Sequence, residues 1–202
     1  MAMLDRFYPI VPDVQWLERL LTWGVKLVQL RIKDNPSAAT RDQIKRGLEL
    51  AKHWNCQLIV NDYWQDAIDL KADFIHLGQE DLDQADMAAI RRAGLRIGIS
   101  SHDEAELERG LSIDPDYLAL GPIYETTLKK MPWAPQGLPR LGEWKQRIAC
   151  PLVAIGGITL ELAPAVYAAG ADSIAVVTDI VKHTDPQART EQWLQQRLTW
   201  SR

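Results

Sequence analysis

The sequence predicts an α/β fold, a single (β/α)8 TIM barrel, and three observations carry that reading. Eight short apolar runs rich in β-branched residues recur along the chain, and a longer amphipathic stretch follows each one. The whole repeat fits into 202 residues, at the small end of the range such barrels occupy. An open doubly wound sheet uses fewer strands and often has a glycine-rich turn after the first. Here the first run leads into Pro12-Asp13, with no Gly-x-Gly-x-x-Gly. No shift in composition marks a linker, so residues 1–202 read as one domain.

The strands are expected at Phe7–Val11, 27–31, Gln57–Asn61, Phe74–Leu77, 96–100, Tyr117–Leu120, Leu152–Ile155 and 173–177. The first helix is expected over 14–23, where Val14, Leu17, Leu20 and Leu21 recur at helical spacing. The second covers 39–54, with Ile44, Leu48 and Ala51 on one face. Further helices are expected at 64–70, 84–93, 103–111, 141–148, 160–169 and 186–198. Gly24, Gly94, Gly110 and Gly170 each follow a helical run and read as C-terminal caps.

Composition narrows the function. Lys and Arg number 23 against 27 Asp and Glu, a net charge of −4, which argues against a basic nucleic-acid platform. No apolar stretch approaches the roughly 20 residues that span a bilayer, so no membrane partner is expected. Residues 1–7 lack the apolar segment of a secretory signal. Cys56 and Cys150 each precede an apolar run and read as buried, reduced thiols, which fits a cytoplasmic protein. The eight tryptophans suit helix–barrel packing and leave room for a homo-oligomer.

Barrel active sites lie at the C-terminal ends of the strands, so the residues ending each run are the candidates. In the second strand, alternation turns Gln29, Arg31 and Lys33 to the barrel interior and Val28, Leu30 and Ile32 to the helices. Inward cations are costly to bury without partners. They point to an anionic ligand or to an ion pair of Arg31 or Lys33 with a neighbouring core carboxylate. The third strand ends in Asn61-Asp62 and the fourth runs into Gly78-Gln79-Glu80-Asp81. Neighbouring strands stand about 4.8 Å apart, so Asp62 and Asp81 can share one hard cation, a magnesium site completed by water and ligand oxygens. Either aspartate alone also suits a helix N-cap.

Ser100 ends the fifth strand and can donate to a ligand. His102 reads as an acid or base or as an exposed loop residue, His76 as a hydrogen-bonded core residue, and His53 and His183 as surface residues. A long connection follows Gly121-Pro122-Ile123 and carries Lys129, Lys130, Pro132 and Pro135, a composition and length that suit a lid. Gly156-Gly157 after the seventh strand and Val177-Thr178 after the eighth occupy the phosphate site this fold ordinarily uses. There, glycine backbone and a following helix N-terminus favour an anion. Two anion-binding regions in one barrel mouth suggest the joining of two phosphorylated substrates.

At this point the sequence resembles the thiamine-phosphate synthase (thiamine-phosphate pyrophosphorylase) family. The matching segments, in order, are Gln29-Leu30-Arg31-Ile32-Lys33, Asn61-Asp62, His76-Leu77-Gly78-Gln79-Glu80-Asp81, Gly98-Ile99-Ser100, Gly121-Pro122-Ile123, Lys129, Gln136-Gly137-Leu138 and Ile155-Gly156-Gly157-Ile158. The resemblance implies a transferase of thiamine biosynthesis that joins 4-amino-2-methyl-5-(diphosphooxymethyl)pyrimidine to a 4-methyl-5-(2-phosphooxyethyl)thiazole substrate. It would release pyrophosphate by a dissociative, magnesium-assisted route. It implies that Gln29, Leu30, Arg31, Ile32, Lys33, Asn61, Ser100 and Lys129 hold the pyrimidine diphosphate. By the same carry-over, Asp62 and Asp81 hold Mg2+, and Gly157, Val177 and Thr178 hold the thiazole phosphate. Arg31, Lys33, Ser100 and Lys129 are the expected catalytic groups.

One segment departs from the family pattern Pro-Thr-x-Thr-Lys: Glu125 replaces the proline and Leu128 the second threonine, while Thr126, Thr127, Leu128 and Lys129 stand as the substrate-binding candidates. Asp179 also sets a carboxylate beside the expected monophosphate cradle. The altered segment keeps open a thiazole tautomerase-like isomerase or a non-catalytic ligand-binding regulator on the same scaffold. Retention of Lys33, Asp62, Asp81 and Lys129 favours the synthase.

Overall fold

The computed structural model describes residues 4–33, 37–126, 133–197, 199 and 200. Eight parallel strands close into a barrel in sequential order, β1(Phe7–Val11), β2(Leu27–Leu30), β3(Gln57–Asn61), β4(Phe74–Leu77), β5(Arg96–Ser101), β6(Tyr117–Leu120), β7(Leu152–Ile155) and β8(Ser173–Val176). β8 pairs back onto β1, with Phe7 opposite Ile174. Around them lie α1(Val14–Thr22), α2(Ser37–His53), α3(Trp64–Asp69), α4(Gln79–Leu82), α5(Met87–Arg92), α6(Glu104–Ser112), α7(Gly137–Arg147), α8(Ala163–Ala168), α9(Thr178–Val181) and α10(Pro186–Gln196).

Two apolar layers follow from the period-2 alternation of the strands. Residues turned outward, such as Val28, Leu30, Val60, Ile75 and Leu118, pack against the helices. Residues turned inward, among them Ile10, Leu27, Ile59, Phe74 and Val153, fill the barrel. Strands buried on both faces read as continuous apolar runs, which is why their positions were legible. Helix starts are fixed by carboxylates: Asp13, Asp86, Asp103 and Asp185 each accept a backbone N–H in the first turn of the helix that follows.

Three of the four expected glycine caps hold positive φ, Gly24, Gly94 and Gly170. Gly110 instead lies inside α6, where a Cβ would stand 2.8 Å from a Leu118 methyl; close helix–barrel packing accounts for it. Trp144 and Trp193 are fully buried, as helix–barrel packing requires. Both cysteines are free thiols, half-buried rather than buried. Among the described residues no helix is long and apolar enough to cross a membrane.

Candidate active site

One cavity of about 360 Å³ opens at the C-terminal ends of the strands, within the size range of small-molecule sites. It brings together Gln29, Arg31, Lys33, Asn61, Asp62, Asp81, Ser100, Thr126, Gly157, Val177 and Thr178. Leu30 and Ile32 do not reach it. Both are buried in the layer between barrel and helices, so only their main chain can serve a ligand. Thr127, Leu128 and Lys129 lie outside the described residues, as do Lys130 and Pro132.

The cation side of the site is built by β2. Alternation carries Gln29 inward, almost fully buried, with Arg31 and Lys33 stepping outward toward the rim. Lys33 donates to the Asp62 carboxylate. No carboxylate among the described residues lies within ion-pair distance of Arg31, so the expected alternative of an ion pair with a neighbouring carboxylate is realised at Lys33 and not at Arg31.

The acidic side is built by the ends of β3 and β4. Asp62 holds φ +65° and lies one residue before Tyr63, which caps α3 without a side-chain bond; the Asp62 carboxylate is therefore not a helix cap. Asp81 is partly one, since it accepts from the Gly78 N–H at 3.0 Å. Burial and the neighbouring Asp62 carboxylate both push the Asp81 carboxyl above the usual carboxylate range. Two like charges forced together in this way suit a shared divalent cation, and two carboxylates leave most of a magnesium shell to water and ligand oxygens. Among the described residues no cluster of three or more metal-ligating acidic, histidine or cysteine side chains exists. Beside the pair, Asn61 Nδ2 is buried with no hydrogen-bond partner among the described residues. A buried donor without an acceptor is expensive, and Asn61 is among the residues lining the cavity.

The floor is a chain of polar side chains. Gln29 Nε2 donates to Tyr8 Oη at 2.8 Å, and Tyr8 Oη lies 2.8 Å from Tyr117 Oη. His76 bridges Tyr117 Oη at 2.7 Å and Ser100 Oγ at 2.8 Å. Burial pushes His76 down to about 4, so the imidazole is neutral near pH 7. Gly98 makes the arrangement possible: a Cβ there would stand 2.0 Å from Tyr117 Cζ.

His102 is not an exposed loop residue. Its Nδ1 lies 2.7 Å from Glu106 Oε2, its ring stacks on Trp133 with centroids 4.1 Å apart, and both rings line the cavity. Glu106 sits four residues on, on α6, a spacing that was visible in the sequence. Trp133 carried no signal of its own.

On the opposite wall, Gly156 and Gly157 hold φ +97° and +67°. A Cβ at Gly157 would stand 2.3 Å from the Glu125 carbonyl oxygen, and one at Gly156 2.6 Å from Pro122. Crowding by the segment after β6 thus adds a reason for glycine beyond access to an anion. The helix expected from 160 begins only at Ala163, so its N-terminus does not adjoin Gly157. Asp179 turns away from the cavity. It accepts from Arg189 Nε at 2.9 Å and Nη2 at 2.9 Å, from Trp193 Nε1 at 2.8 Å and from the Leu160 N–H at 3.3 Å.

Residues 7–180 match the family model described as thiamine monophosphate synthase. The chain belongs to that family. A thiamine-phosphate synthase of Rhizobium etli is 59% identical over 198 residues, covering 98% of this chain and 97% of the relative. One from Klebsiella pneumoniae is 49% identical, covering 93% and 89%. The solved thiamine phosphate pyrophosphorylase of Pyrococcus furiosus superposes with a TM-score of 0.85 at 27% identity, covering 96% of each chain. The enzyme is accordingly a transferase of thiamine-phosphate synthesis on a (β/α)8 barrel.

Proposed function

We propose that the cavity joins the aminopyrimidine diphosphate to the thiazole phosphate by letting pyrophosphate depart before the thiazole nitrogen attacks. The observation that carries this reading is that, among the described residues, the Arg31 guanidinium has no carboxylate partner and the buried Asn61 donor no acceptor, and both residues line one cavity with Asp62 and Asp81. Such a wall is poor as a resting structure and well suited to a polyanion.

In this reading Arg31 and Asn61 hold the diphosphate, joined by Lys129. Lys33, paired with Asp62 at the rim, adds its charge to the diphosphate site. Asp62 and Asp81 would hold Mg2+, which supplies Lewis-acid stabilisation of the leaving pyrophosphate. Gln29 and Ser100 orient the pyrimidine, whose amino group feeds electrons to the exocyclic methylene. Gly157, Val177 and Thr178 hold the thiazole phosphate, with Thr126 and Thr127 beside it, so that the thiazole nitrogen faces that methylene. Bond breaking and bond making both occur between substrates, so no protein nucleophile is needed, and catalysis rests on orientation and electrostatics. The whole chain serves as one unit, and free Cys56 and Cys150 are in keeping with a cytoplasmic setting.

The test is Arg31→Gln. The expected result is a raised KM for the pyrimidine diphosphate with the KM for the thiazole phosphate unchanged. Equal changes in both would remove Arg31 from the diphosphate site.

A further inference from the structure

We infer that Tyr8, Tyr117 and His76 form a one-way hydrogen-bond relay that fixes Ser100 as a donor toward the substrate, which makes these three buried side chains positioning residues for the reaction. Direction follows from the donor inventory. The Gln29 amide nitrogen can only donate, and it donates to Tyr8 Oη at 2.8 Å. Tyr8 Oη has no other hydrogen-bond partner among the described residues, so the one acceptor open to its own proton is Tyr117 Oη, 2.8 Å away. With that bond accepted, the acceptor left among the described residues for the Tyr117 proton is His76 Nδ1, at 2.7 Å. A neutral imidazole that accepts at Nδ1 carries its proton on Nε2, and Nε2 lies 2.8 Å from Ser100 Oγ. Ser100 Oγ therefore accepts from inside the barrel and has its hydroxyl proton left over. Among the described residues that hydroxyl has no other partner, and Ser100 lines the cavity.

The arrangement is built rather than incidental. Tyr8 and Tyr117 are 1% and 0% exposed, and the His76 ring stacks on Tyr117 at 16°. β5 gives up a side chain at Gly98 to admit the Tyr117 ring. Buried polar chains of this kind polarise each link in one sense. The substrate atom that Ser100 meets is thereby specified as an acceptor, either a ring nitrogen or an anionic oxygen of the pyrimidine diphosphate. This last link rests on the function proposed above; the direction of the relay does not.

The test is 15N NMR of ligand-free protein labelled at histidine, with the His76 signals assigned by their loss in His76→Gln. The expected result is a neutral ring protonated at Nε2 and bare at Nδ1. A proton on Nδ1 would reverse the relay and overturn the inference, whether or not the enzyme turns over normally. In Tyr117→Phe the fixed tautomer should be lost, and kcat should fall at least tenfold while the KM for the thiazole phosphate holds. A folded Tyr117→Phe with wild-type tautomer and kcat also overturns it. If that variant does not fold, the wild-type tautomer alone decides.

Discussion

Gly98 of β5 and Tyr117 of β6 face each other as direct partners in the barrel, and the tyrosine ring fills the volume that a side chain at 98 would need. That exchange lets a tyrosine stand at the barrel centre, where it links β1, β4 and β6 through its hydroxyl. Gly98→Ala is expected to cost about 1–3 kcal/mol, the usual range for overpacking a core. It should also lower turnover, because the ring must move. Urea unfolding and steady-state kinetics on the same sample check both, and a variant with wild-type stability would show that the ring has room to spare.

Asp62→Asn separates charge from shape. Asparagine tolerates the φ of +65° at this position, so the backbone should persist. Losing the carboxylate removes one proposed metal ligand and leaves Lys33 without its partner. The expected loss of turnover is roughly a hundredfold or more, since electrostatic stabilisation of this kind is worth about 3 kcal/mol. The melting temperature should barely move. Parallel losses of activity and melting temperature would assign Asp62 to the fold instead.

Lys129→Ala is expected to slow departure of pyrophosphate. Rapid-quench measurement of a single turnover reads that step directly, and an unchanged rate would release Lys129 from the site.

His76 sets a pH dependence of stability. Its folded value is about 4, below the ordinary value near 6.5. Between these values the unfolded chain binds the proton that the native barrel refuses, so stability is full near neutral pH and falls as pH drops from about 6.5 toward 4. The contribution is roughly 3 kcal/mol across that window. Stability measured at pH 7 and pH 5 should fall less steeply in His76→Gln than in wild type. Equal slopes would assign the loss to other groups.

Arg189 and Asp179 form a buried pair behind the β8 loop, with Arg189 8% exposed. Arg189→Met would leave the Asp179 carboxylate buried beside Trp193 with its cation gone. A cost of about 3–5 kcal/mol is expected, as for other broken buried pairs. Adding Asp179→Leu should recover part of it. Additive losses in the double variant would mean that the two residues act separately.

The barrel was legible because parallel strands covered on both faces write themselves as apolar runs. Five of the eight strands match their expected bounds, and the other three differ by one residue. α4 and α9 were not foreseen: four residues carry no helical period. Residues at strand ends were found by their chemistry, and Gln29, Arg31, Lys33, Asn61, Asp62, Asp81 and Ser100 do meet in one cavity. Tyr8 and Tyr117 were hidden, since an aromatic in a buried strand looks like core until the register shows what it faces. Trp133 was hidden for a different reason: its stacking on His102 joins segments 31 residues apart, and no local pattern encodes that contact.

The most direct measurement is pyrophosphate and thiamine phosphate released from both substrates with Mg2+ present or chelated. Both products should appear in equal amounts with the metal and fall together to near nothing without it. Undiminished turnover under chelation would contradict an aspartate-held cation at the barrel rim.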